Sequence, residues 1–416
     1  MAPALTDAEA AALAGVHGEG MAIAMRLVVE AARILGAPRL VPIASAHIDG
    51  CLYHGDSGTH FAERLAAAGA RAAVPTTLNI GAIDLLNPMS VRLSKDERRM
   101  ALRLMRAYEV LGCRATFTCA PYQAGHRPRA GTDVAWGESN AVAFCNGVLG
   151  ARTNRYGDFL DIACAIAGRA PCCGLHLPEN RRARLLVDAA ALPEALKADD
   201  TLWPVLGALV GRFAGETVAA VDGLGAYATE DRLKAFGAAA AAFGAVAHFH
   251  IVGATPEAPT LAAAFAGARP EETRRLDAGD IADGFALLST AAPDEAVTAV
   301  GIRSPHLSAA EIRTLADRID GRRLTLPLYA NTGRHVLSAI EACGTRAKLD
   351  RAGVTLIADT CIVATPIIAG EGVLMTNSGK FANYAPGNIG HKVVFASLAD
   401  CVETAVSGAR TAAPVP

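Results

Sequence analysis

The side chains best able to do chemistry are concentrated between residues 136 and 161 of an otherwise Ala-rich chain. Carboxylates, amides, guanidiniums and hydroxyls follow one another there: Glu138, Ser139, Asn140, Asn146, Arg152, Thr153, Asn154, Arg155, Tyr156, Asp158 and Asp161. Arginine forks bind carboxylates through paired hydrogen bonds, and asparagine amides both donate and accept. The segment therefore predicts a binding site for a small anionic substrate. In the alternative interpretation, Arg152 and Arg155 only follow the Gly150 cap of a helix and meet its dipole.

A histidine and an aspartate flank Ile48 at the predicted end of a strand. Because alternate residues of a strand point to the same side, the side chains of His47 and Asp49 should lie together. Such a pair suits general acid–base catalysis near neutral pH. It could equally be a hydrogen-bonded pair that stabilises the turn after the strand.

Residues 376–387 combine Gly, Asn, Lys and Tyr with little apolar filler, which is typical of a binding loop. Lys380 is the only cation of this loop. The run before it lacks the earlier glycine of a nucleotide phosphate loop, so a nucleotide site is not predicted. A surface turn is the other interpretation.

The chain has ten cysteines, which in a reducing compartment are thiols or metal ligands and not a disulfide framework. Cys119 and Cys361 are predicted at strand ends, and thiolates are the usual ligands of iron–sulfur clusters. No local spacing motif joins the two. From the residues alone, buried core thiols are therefore the more frequent outcome.

The elements that must position these groups alternate between strands and helices. Capping boxes at Ser94–Glu97 and Ser308–Glu311 predict two helix starts. Strands are predicted over 40–45, 115–118, 325–329, 354–358 and 392–396. This alternation indicates an α/β fold with largely parallel sheets, in which sites gather at the carboxyl ends of strands. Four candidate segments fall at such ends: 47–49, 119–122, 304–306 and 359–361.

The bulk properties exclude several classes of protein. The 416 residues are 52% hydrophobic and 19% charged, as in a folded domain protein, and the length suggests two or three subdomains. We expect these at about 1–195, 196–295 and 296–416. A net charge of −2 offers no electrostatic basis for binding nucleic acid or an anionic membrane. Neither a secretory signal nor a membrane-spanning segment is predicted, so we expect the cytoplasm.

Seven segments in the same order resemble the aconitase X family. The longest is ESNAVAFCNGVLGARTNRYGDFLDI, at 138–162, and the others lie at 45–58, 74–88, 116–123, 301–308, 357–366 and 376–387. The resemblance spans roughly residues 40 to 395. It implies an aconitase-like large domain of several three-layer α/β/α subdomains around a central cleft.

The resemblance also implies an iron or iron–sulfur centre, of the 2Fe–2S type, on three cysteines. Cys119 and Cys361 match the first and third positions, but Ser304 stands where the family pattern has the second cysteine. Cys51, Ser304 itself or His306 could supply the third ligand, or the centre could be a single iron.

The implied reaction is dehydration of a small hydroxy acid, with cis-3-hydroxy-L-proline as the expected substrate and Δ1-pyrroline-2-carboxylate as the product. We expect His47, Asp49 and Lys380 to be catalytic. We expect the substrate to be bound by polar residues of the matching segments: Ser45, Tyr122, Ser139, Asn140, Arg152, Asn154, Arg155, Asn377 and Ser378. The alternatives are dehydration of mevalonate 5-phosphate and a non-catalytic iron-binding protein.

In fused relatives a small swivelling domain follows the catalytic part, and the present sequence has no counterpart of it. We therefore expect a separate small subunit as the partner of this chain, completing a two-chain enzyme.

Overall fold

The computed structural model describes residues 2–411. It divides into two compact units: unit 1 comprises Met1–Ile83 and Leu93–Arg182, and unit 2 comprises Asp84–Arg92 and Ala183–Pro416. Within the described residues, no helix has both the length and the apolar character needed to cross a membrane.

Unit 1 is built around a small parallel sheet. Its helices are α1 (Asp7–Leu13), α2 (Glu19–Ile34), α3 (Asp56–Ala67), α4 (Lys95–Val110), α5 (Ser139–Gly147) and α6 (Leu160–Ala167). Its strands are β1 (Leu40–Pro42), β2 (Ala46–Ile48), β3 (Thr76–Leu78), β4 (Ala135–Trp136) and β5 (Arg169–Pro171). β2 lies between β3 and β4 in the parallel sheet, and β1 pairs antiparallel with β5. Residues that follow β2 therefore emerge between two neighbouring strands.

The capping box predicted at Ser94 is confirmed. The Ser94 hydroxyl accepts from the Glu97 amide at 3.2 Å, and the Glu97 carboxylate accepts from the Ser94 amide at 2.9 Å. These bonds satisfy two donors that a helix start otherwise leaves open. The apolar face of α4, which includes Met100, Leu104 and Tyr108, is buried.

The strand predicted over 115–118 is wrong. Only Arg114 forms a bridge, to Thr77 of β3, and the Thr118 amide reaches the Leu78 carbonyl at 3.3 Å. Phe117 has φ +39°, a left-handed conformation that ends any strand geometry. The segment still runs beside β3, so Cys119 is buried at the edge of the same sheet.

Unit 2 contains two larger parallel sheets. Its helices are α7 (Glu194–Lys197), α8 (Leu202–Ala214), α9 (Glu230–Phe243), α10 (Leu261–Ala264), α11 (Ala278–Leu287), α12 (Ala309–Ile319), α13 (Arg334–Ala342), α14 (Thr345–Ala352), α15 (Gly379–Ile389) and α16 (Leu398–Ser407). Its strands are β6 (Leu185–Asp188), β7 (Ala219–Asp222), β8 (Phe249–Ile251), β9 (Glu272–Arg275), β10 (Val297–Leu307), β11 (Leu328–Thr332), β12 (Val354–Ile357), β13 (Val373–Thr376) and β14 (Lys392–Phe395). The sheet orders are β8-β7-β6-β9 and β12-β11-β10-β13-β14, and all pairs are parallel. The predicted α/β class is confirmed.

The strand order of the five-stranded sheet reverses at β10. The chain passes outward from β10 to β11 and β12 on one side, and β13 and β14 lie on the other. α12, which follows β10, starts at the predicted capping box of Ser308 and Glu311. α15 packs so closely on the sheet that a Cβ at Gly301 would lie 2.3 Å from the Phe381 ring. Loops after β10 and β13 therefore diverge and open a crevice between them.

Candidate active site

A chain of three polar side chains lies on the central strands of unit 1. The Nδ1 atom of His47 is 2.8 Å from the Thr77 hydroxyl, which is 2.7 Å from the Nδ1 atom of His126. Burial lowers the pKa of His47 well below its usual value, and burial lowers the pKa of His126 to about 4. Both imidazoles are therefore neutral near pH 7. Among the described residues, nothing pairs with the buried Nε2 atom of His47.

Asp49 is the half-buried carboxylate at the end of β2. It accepts a short hydrogen bond from the Asn79 amide, and its backbone N–H donates to Asp161 at 2.7 Å. Gly137 allows this approach, because a Cβ there would lie 2.8 Å from the Cβ of Asp49. Asp49 is thus fixed through its side chain and its backbone while its carboxylate stays partly exposed.

Asp161 lies behind Asp49 and was among the polar residues of the 136–161 segment. Its Oδ1 atom accepts from the Ile162 amide at 2.6 Å, and the side chain is completely buried. Burial raises the pKa of Asp161 to about 8, although the backbone donors of Asp49 and Ile162 act in the opposite direction. Its role is to fix the turn after β2.

Asn140 links α5 to the turn at 119–122. Its Nδ2 atom donates to the Cys119 carbonyl at 2.9 Å and to the Tyr122 hydroxyl at 3.3 Å. The Tyr122 ring stacks on Phe144 with 3.5 Å between ring centroids. Glu138 caps α5 by accepting from its third amide at 2.7 Å, which orients Asn140 inward. The Asn140 amide therefore holds the Cys119 turn in place.

Asn154 is used to build a turn. Its Oδ1 atom accepts from the Leu175 amide at 2.8 Å, and its Nδ2 atom donates to the Cys173 carbonyl at 3.1 Å. Arg155 is exposed, and Arg152 is half-buried with its backbone paired to Asp133. Some side chains of the polar segment therefore belong to the candidate site, whereas others, such as Asn154, stabilise the local fold.

Three further candidate site residues of unit 1, Cys51, Ser45 and Ser139, lie in different surroundings. The Cys51 thiol donates to the Asn79 carbonyl at 3.1 Å and the Ile80 carbonyl at 3.4 Å. Burial raises the pKa of Cys51 well above its usual value, which favours the neutral thiol over an iron-binding thiolate. Ser45 is buried just before β2, and Ser139 is half-buried in the first turn of α5.

In unit 2, the segment 304–306, which was predicted at a strand end, lies within an irregular stretch of β10 that brings the predicted metal position beside a cysteine. The Cys361 thiol and the Ser304 hydroxyl are 3.8 Å apart, and both side chains are buried. The Nε2 atom of His306 lies 3.1 Å from the Thr360 carbonyl, and burial lowers the pKa of His306 to about 4. One thiol and one hydroxyl thus supply part of a ligand set.

A full ligand set is not present within the described residues, because no three His, Cys, Asp or Glu side chains are grouped to hold a metal. Cys119 belongs to unit 1, whereas Cys361 and Ser304 belong to unit 2. The donors of each unit therefore fit an iron centre only in part.

The loop after β13 is tied to the same irregular stretch of β10. The Oδ1 atom of the Asn377 side chain accepts from the Arg303 backbone amide at 3.2 Å. The Ser378 hydroxyl donates to the Ser304 carbonyl at 2.5 Å and accepts from the Phe381 amide at 3.1 Å, which caps α15. Lys380, in the first turn of α15, is half-buried, and its charge contributes to the low pKa of His306. Asn377 and Ser378 therefore position the loop that carries Lys380.

Three polar residues near these edges, Arg334, Thr77 and His126, were not predicted, whereas Asp359 belongs to the candidate segment 359–361. Arg334 binds the buried carboxylate of Asp359 through two bonds of 2.7 and 2.6 Å, and Asp359 has φ +62°. Burial raises the pKa of Asp359, and Arg334 opposes that rise. Thr77 and His126 of unit 1 were also missed. Thr77 lies within the matching segment 74–88, whereas no predicted strand or matching segment contains His126.

The chain was compared with protein families and with solved structures. Models of the aconitase X first, second and third domains match residues 2–179, 183–286 and 297–407. A cis-3-hydroxy-L-proline dehydratase of Pseudomonas aeruginosa is 43% identical over 420 residues, which cover 100% of this chain and 72% of the relative. The chain belongs to the aconitase X family.

Two further relatives extend the family match. A phosphomevalonate dehydratase large subunit of Methanothermobacter thermautotrophicus is 38% identical over 92% of this chain and 93% of the relative. The crystal structure of aconitase X of Thermococcus kodakaraensis, described as a holo-form, has a TM-score of 0.86 and 32% sequence identity. That match covers 97% of this chain and 100% of the solved chain. The aconitase X fold therefore extends over both units.

Proposed function

We propose that this aconitase X chain is a hydro-lyase that dehydrates cis-3-hydroxy-L-proline to Δ1-pyrroline-2-carboxylate. The observation that carries the proposal is the 43% identity with a dehydratase of that name over the whole chain. A second dehydratase of that name, from Hypocrea jecorina, is 39% identical over 97% of the chain. The half-buried carboxylate of Asp49, fixed at a strand end, supports the same reaction class.

The proposed chemistry needs one base and one acid. Asp49 takes the proton from the carbon that carries the carboxylate, and the released electron pair forms a carbon–carbon double bond as the neighbouring carbon–oxygen bond breaks. The departing hydroxide takes up a proton and leaves as water. The cyclic enamine that remains becomes Δ1-pyrroline-2-carboxylate by moving one proton from nitrogen to carbon.

His47 is proposed as a proton relay behind Asp49. A neutral imidazole can accept a proton at one nitrogen and release one from the other. The Thr77 hydroxyl connects it to the neutral imidazole of His126. Such a chain suits proton movement better than it suits binding of an anionic group.

In unit 2, Lys380 is proposed as a second catalytic candidate. It is half-buried in the first turn of α15, directly after a loop that Asn377 and Ser378 hold against residues 303–304 of β10. An ammonium group can donate the proton that a departing hydroxide requires.

We further propose that the enzyme carries an iron or iron–sulfur centre. In unit 2, Cys361 and Ser304 would hold it, and in unit 1 Cys119 is the thiol with the corresponding role. Such a centre, when bound, acts as a Lewis acid on the leaving hydroxyl. Iron content measured for Cys361→Ala and Cys119→Ala, with Cys343→Ala as the exposed control, would test each thiol.

A separate small subunit is proposed as the partner. The archaeal relatives that match over nearly their full length are named large subunits, which supports a two-chain enzyme. Co-purification of this chain with a candidate small subunit would test the arrangement.

The deciding experiment is a turnover assay under anaerobic conditions with the assembled enzyme and cis-3-hydroxy-L-proline. We expect formation of Δ1-pyrroline-2-carboxylate that depends on both chains. Mevalonate 5-phosphate is the comparison substrate. Turnover of the phosphorylated acid alone would contradict the proposed substrate, and turnover of neither by an intact iron-loaded complex would contradict the proposed function.

A further inference from the structure

A cavity of about 320 Å³ lies within unit 2 at the edge of the five-stranded sheet. Its wall includes Arg303 after the regular part of β10, Asn377 after β13, Glu311 of α12 and Asp231 of α9. The order of strands reverses between these loops. Crevices at such reversals are where open parallel sheets bind their ligands.

Arg303 is an unusual residue in this wall. It adopts φ +53°, a left-handed conformation that is unfavourable for a residue other than glycine. Its side chain is only 10% exposed, and Glu311 faces its Nε atom at 3.4 Å. Among the described residues, its buried Nη1 atom has no hydrogen-bond partner. Strained backbone and an unsatisfied buried donor are costly, and such features persist mainly at functional sites.

Glu311 presents the complementary group. One oxygen accepts from the Ser308 amide at 2.8 Å and makes a short bond with Lys234. The other oxygen, Oε1, faces Arg303 and has no hydrogen bond within the described part of the chain. Arg303 and Glu311 therefore form an ion pair in the wall of the cavity, in which the Arg303 Nη1 donor and the Glu311 Oε1 acceptor make no hydrogen bond within the described residues.

The charges around the cavity balance. Arg303, Arg232 and Lys234 supply three positive charges, and Asp200, Asp231 and Glu311 supply three negative ones. Arg232 pairs with Asp200 at 2.7 Å, and Lys234 pairs with Asp231 at 2.8 Å. Burial opposes ionisation of Asp231, but Lys234 and Arg303 hold its pKa below the usual value. A neutral crevice with one fixed cation beside one fixed anion matches a zwitterion, whereas a phosphate dianion would need surplus positive charge.

We propose that this crevice binds a zwitterionic amino acid, with Arg303 holding its carboxylate and Glu311 its ammonium group. The inference rests on the proposed function, because it identifies that amino acid with the cyclic hydroxy-amino-acid substrate. In this proposal Arg303 binds the substrate carboxylate, in place of Arg152 and Arg155 of the polar segment. It also gives a physical reason for selecting an amino acid over a phosphorylated hydroxy acid.

The test uses the assembled enzyme with Arg303→Gly, Arg303→Lys and the control Arg346→Gln. Glycine suits the φ of residue 303, so Arg303→Gly removes the guanidinium and relieves the backbone strain. Arg346 belongs to the same unit but forms only an exposed pair with Asp350. Binding of cis-3-hydroxy-L-proline and of mevalonate 5-phosphate is measured by calorimetry, and turnover of the amino acid is measured separately. Thermal unfolding verifies that each variant is folded.

We expect binding of the amino acid to weaken roughly 10- to 100-fold in Arg303→Gly, as for loss of a charge-assisted hydrogen bond, and less in Arg303→Lys. Arg346→Gln should bind like the parent enzyme, and the phosphorylated acid should bind weakly to all variants. Unchanged amino-acid affinity in folded Arg303→Gly would overturn the inference and leave the proposed function intact. Affinity that depends on Arg303 without turnover in the parent enzyme would support the inference and contradict the proposed function. Absence of binding to the parent enzyme would overturn the inference.

Discussion

The two sheet edges that carry the candidate residues are built from opposite kinds of polar group. At β2 in unit 1, His47 and His126 are buried in neutral form and joined by a hydroxyl. At β10 in unit 2, Arg303, Lys234 and Glu311 are buried with their charges paired. A buried polar group must either lose its charge or find an opposite one. Neutral imidazoles joined by a hydroxyl, as at β2, favour proton transfer. Fixed charges, as at β10, favour binding of a charged ligand.

The largest effect should come from Asp49, the half-buried carboxylate at the end of β2. We expect Asp49→Asn to lower kcat by about 10²- to 10⁴-fold, because the amide cannot accept the substrate proton. Steady-state kinetics on the assembled enzyme measure the change.

The matched control is Asp56→Asn, an exposed aspartate bonded to Tyr53 in the same unit. It should keep kcat within a factor of two. A kcat in Asp49→Asn close to that of the control would remove Asp49 as the base and with it the proton-transfer role of this edge.

The second prediction concerns the paired charges of unit 2. Lys234 has a side chain that is only 1% exposed and pairs with Asp231 and Glu311. We expect Lys234→Met to lower the free energy of unfolding by about 3–5 kcal/mol, because it leaves buried carboxylates uncompensated. Denaturant unfolding measures the loss.

Lys392→Met is the control for this variant, since Lys392 is 59% exposed in its pair with Glu295. It should change the free energy of unfolding by less than about 1 kcal/mol. Equal effects of the two substitutions would show that the charges at the β10 edge are not buried in the way described.

The third prediction uses pH to separate the two edges. The pKa of His126 falls from 6.5 to about 4 on folding, so the unfolded chain binds more protons between these values. Its contribution to stability is complete above pH 6.5 and is lost as the pH falls toward 4, by up to about 3 kcal/mol. In His126→Asn, this part of the loss of folding stability at low pH should disappear.

Chemical denaturation at intervals from pH 4 to 7 measures the slope. His60→Asn, at an exposed histidine of α3, should keep the parent slope. A parent-like slope in His126→Asn as well would mean that His126 already carries a proton in the folded protein.

The smallest predicted effect tests whether Asn154 of the polar segment supports the fold or binds the substrate. We expect Asn154→Ala to lower the free energy of unfolding by about 1–3 kcal/mol, because the Leu175 amide loses its partner. The KM should stay within a factor of two. Asn180→Ala, which removes an exposed bond to the same turn, should cost less. A large rise in KM without loss of stability would return Asn154 to the substrate site.

Part of this organisation was predictable from local pattern. The capping boxes at Ser94 and Ser308 were found as expected, because a cap is made by residues three positions apart. The strand predicted at 354–358 is observed over Val354–Ile357, since a short apolar run bounded by turns has few alternatives. The strand predicted at 325–329 is shifted to Leu328–Thr332, and the one at 115–118 is absent from the described fold. In both cases pairing with neighbouring strands, and not propensity, determined the outcome.

The sequence by itself determined the α/β alternation, the helix starts and the strand end at which His47 and Asp49 occur. These depend on periodicity and on residues a few positions apart. Only the tertiary structure joined His47 to His126 through Thr77, placed Ser304 beside Cys361 and turned Asn154 toward the 173–175 turn. It also decided which side chains are ionised in the folded protein, because burial and partners distant in sequence set whether each group is neutral or charged.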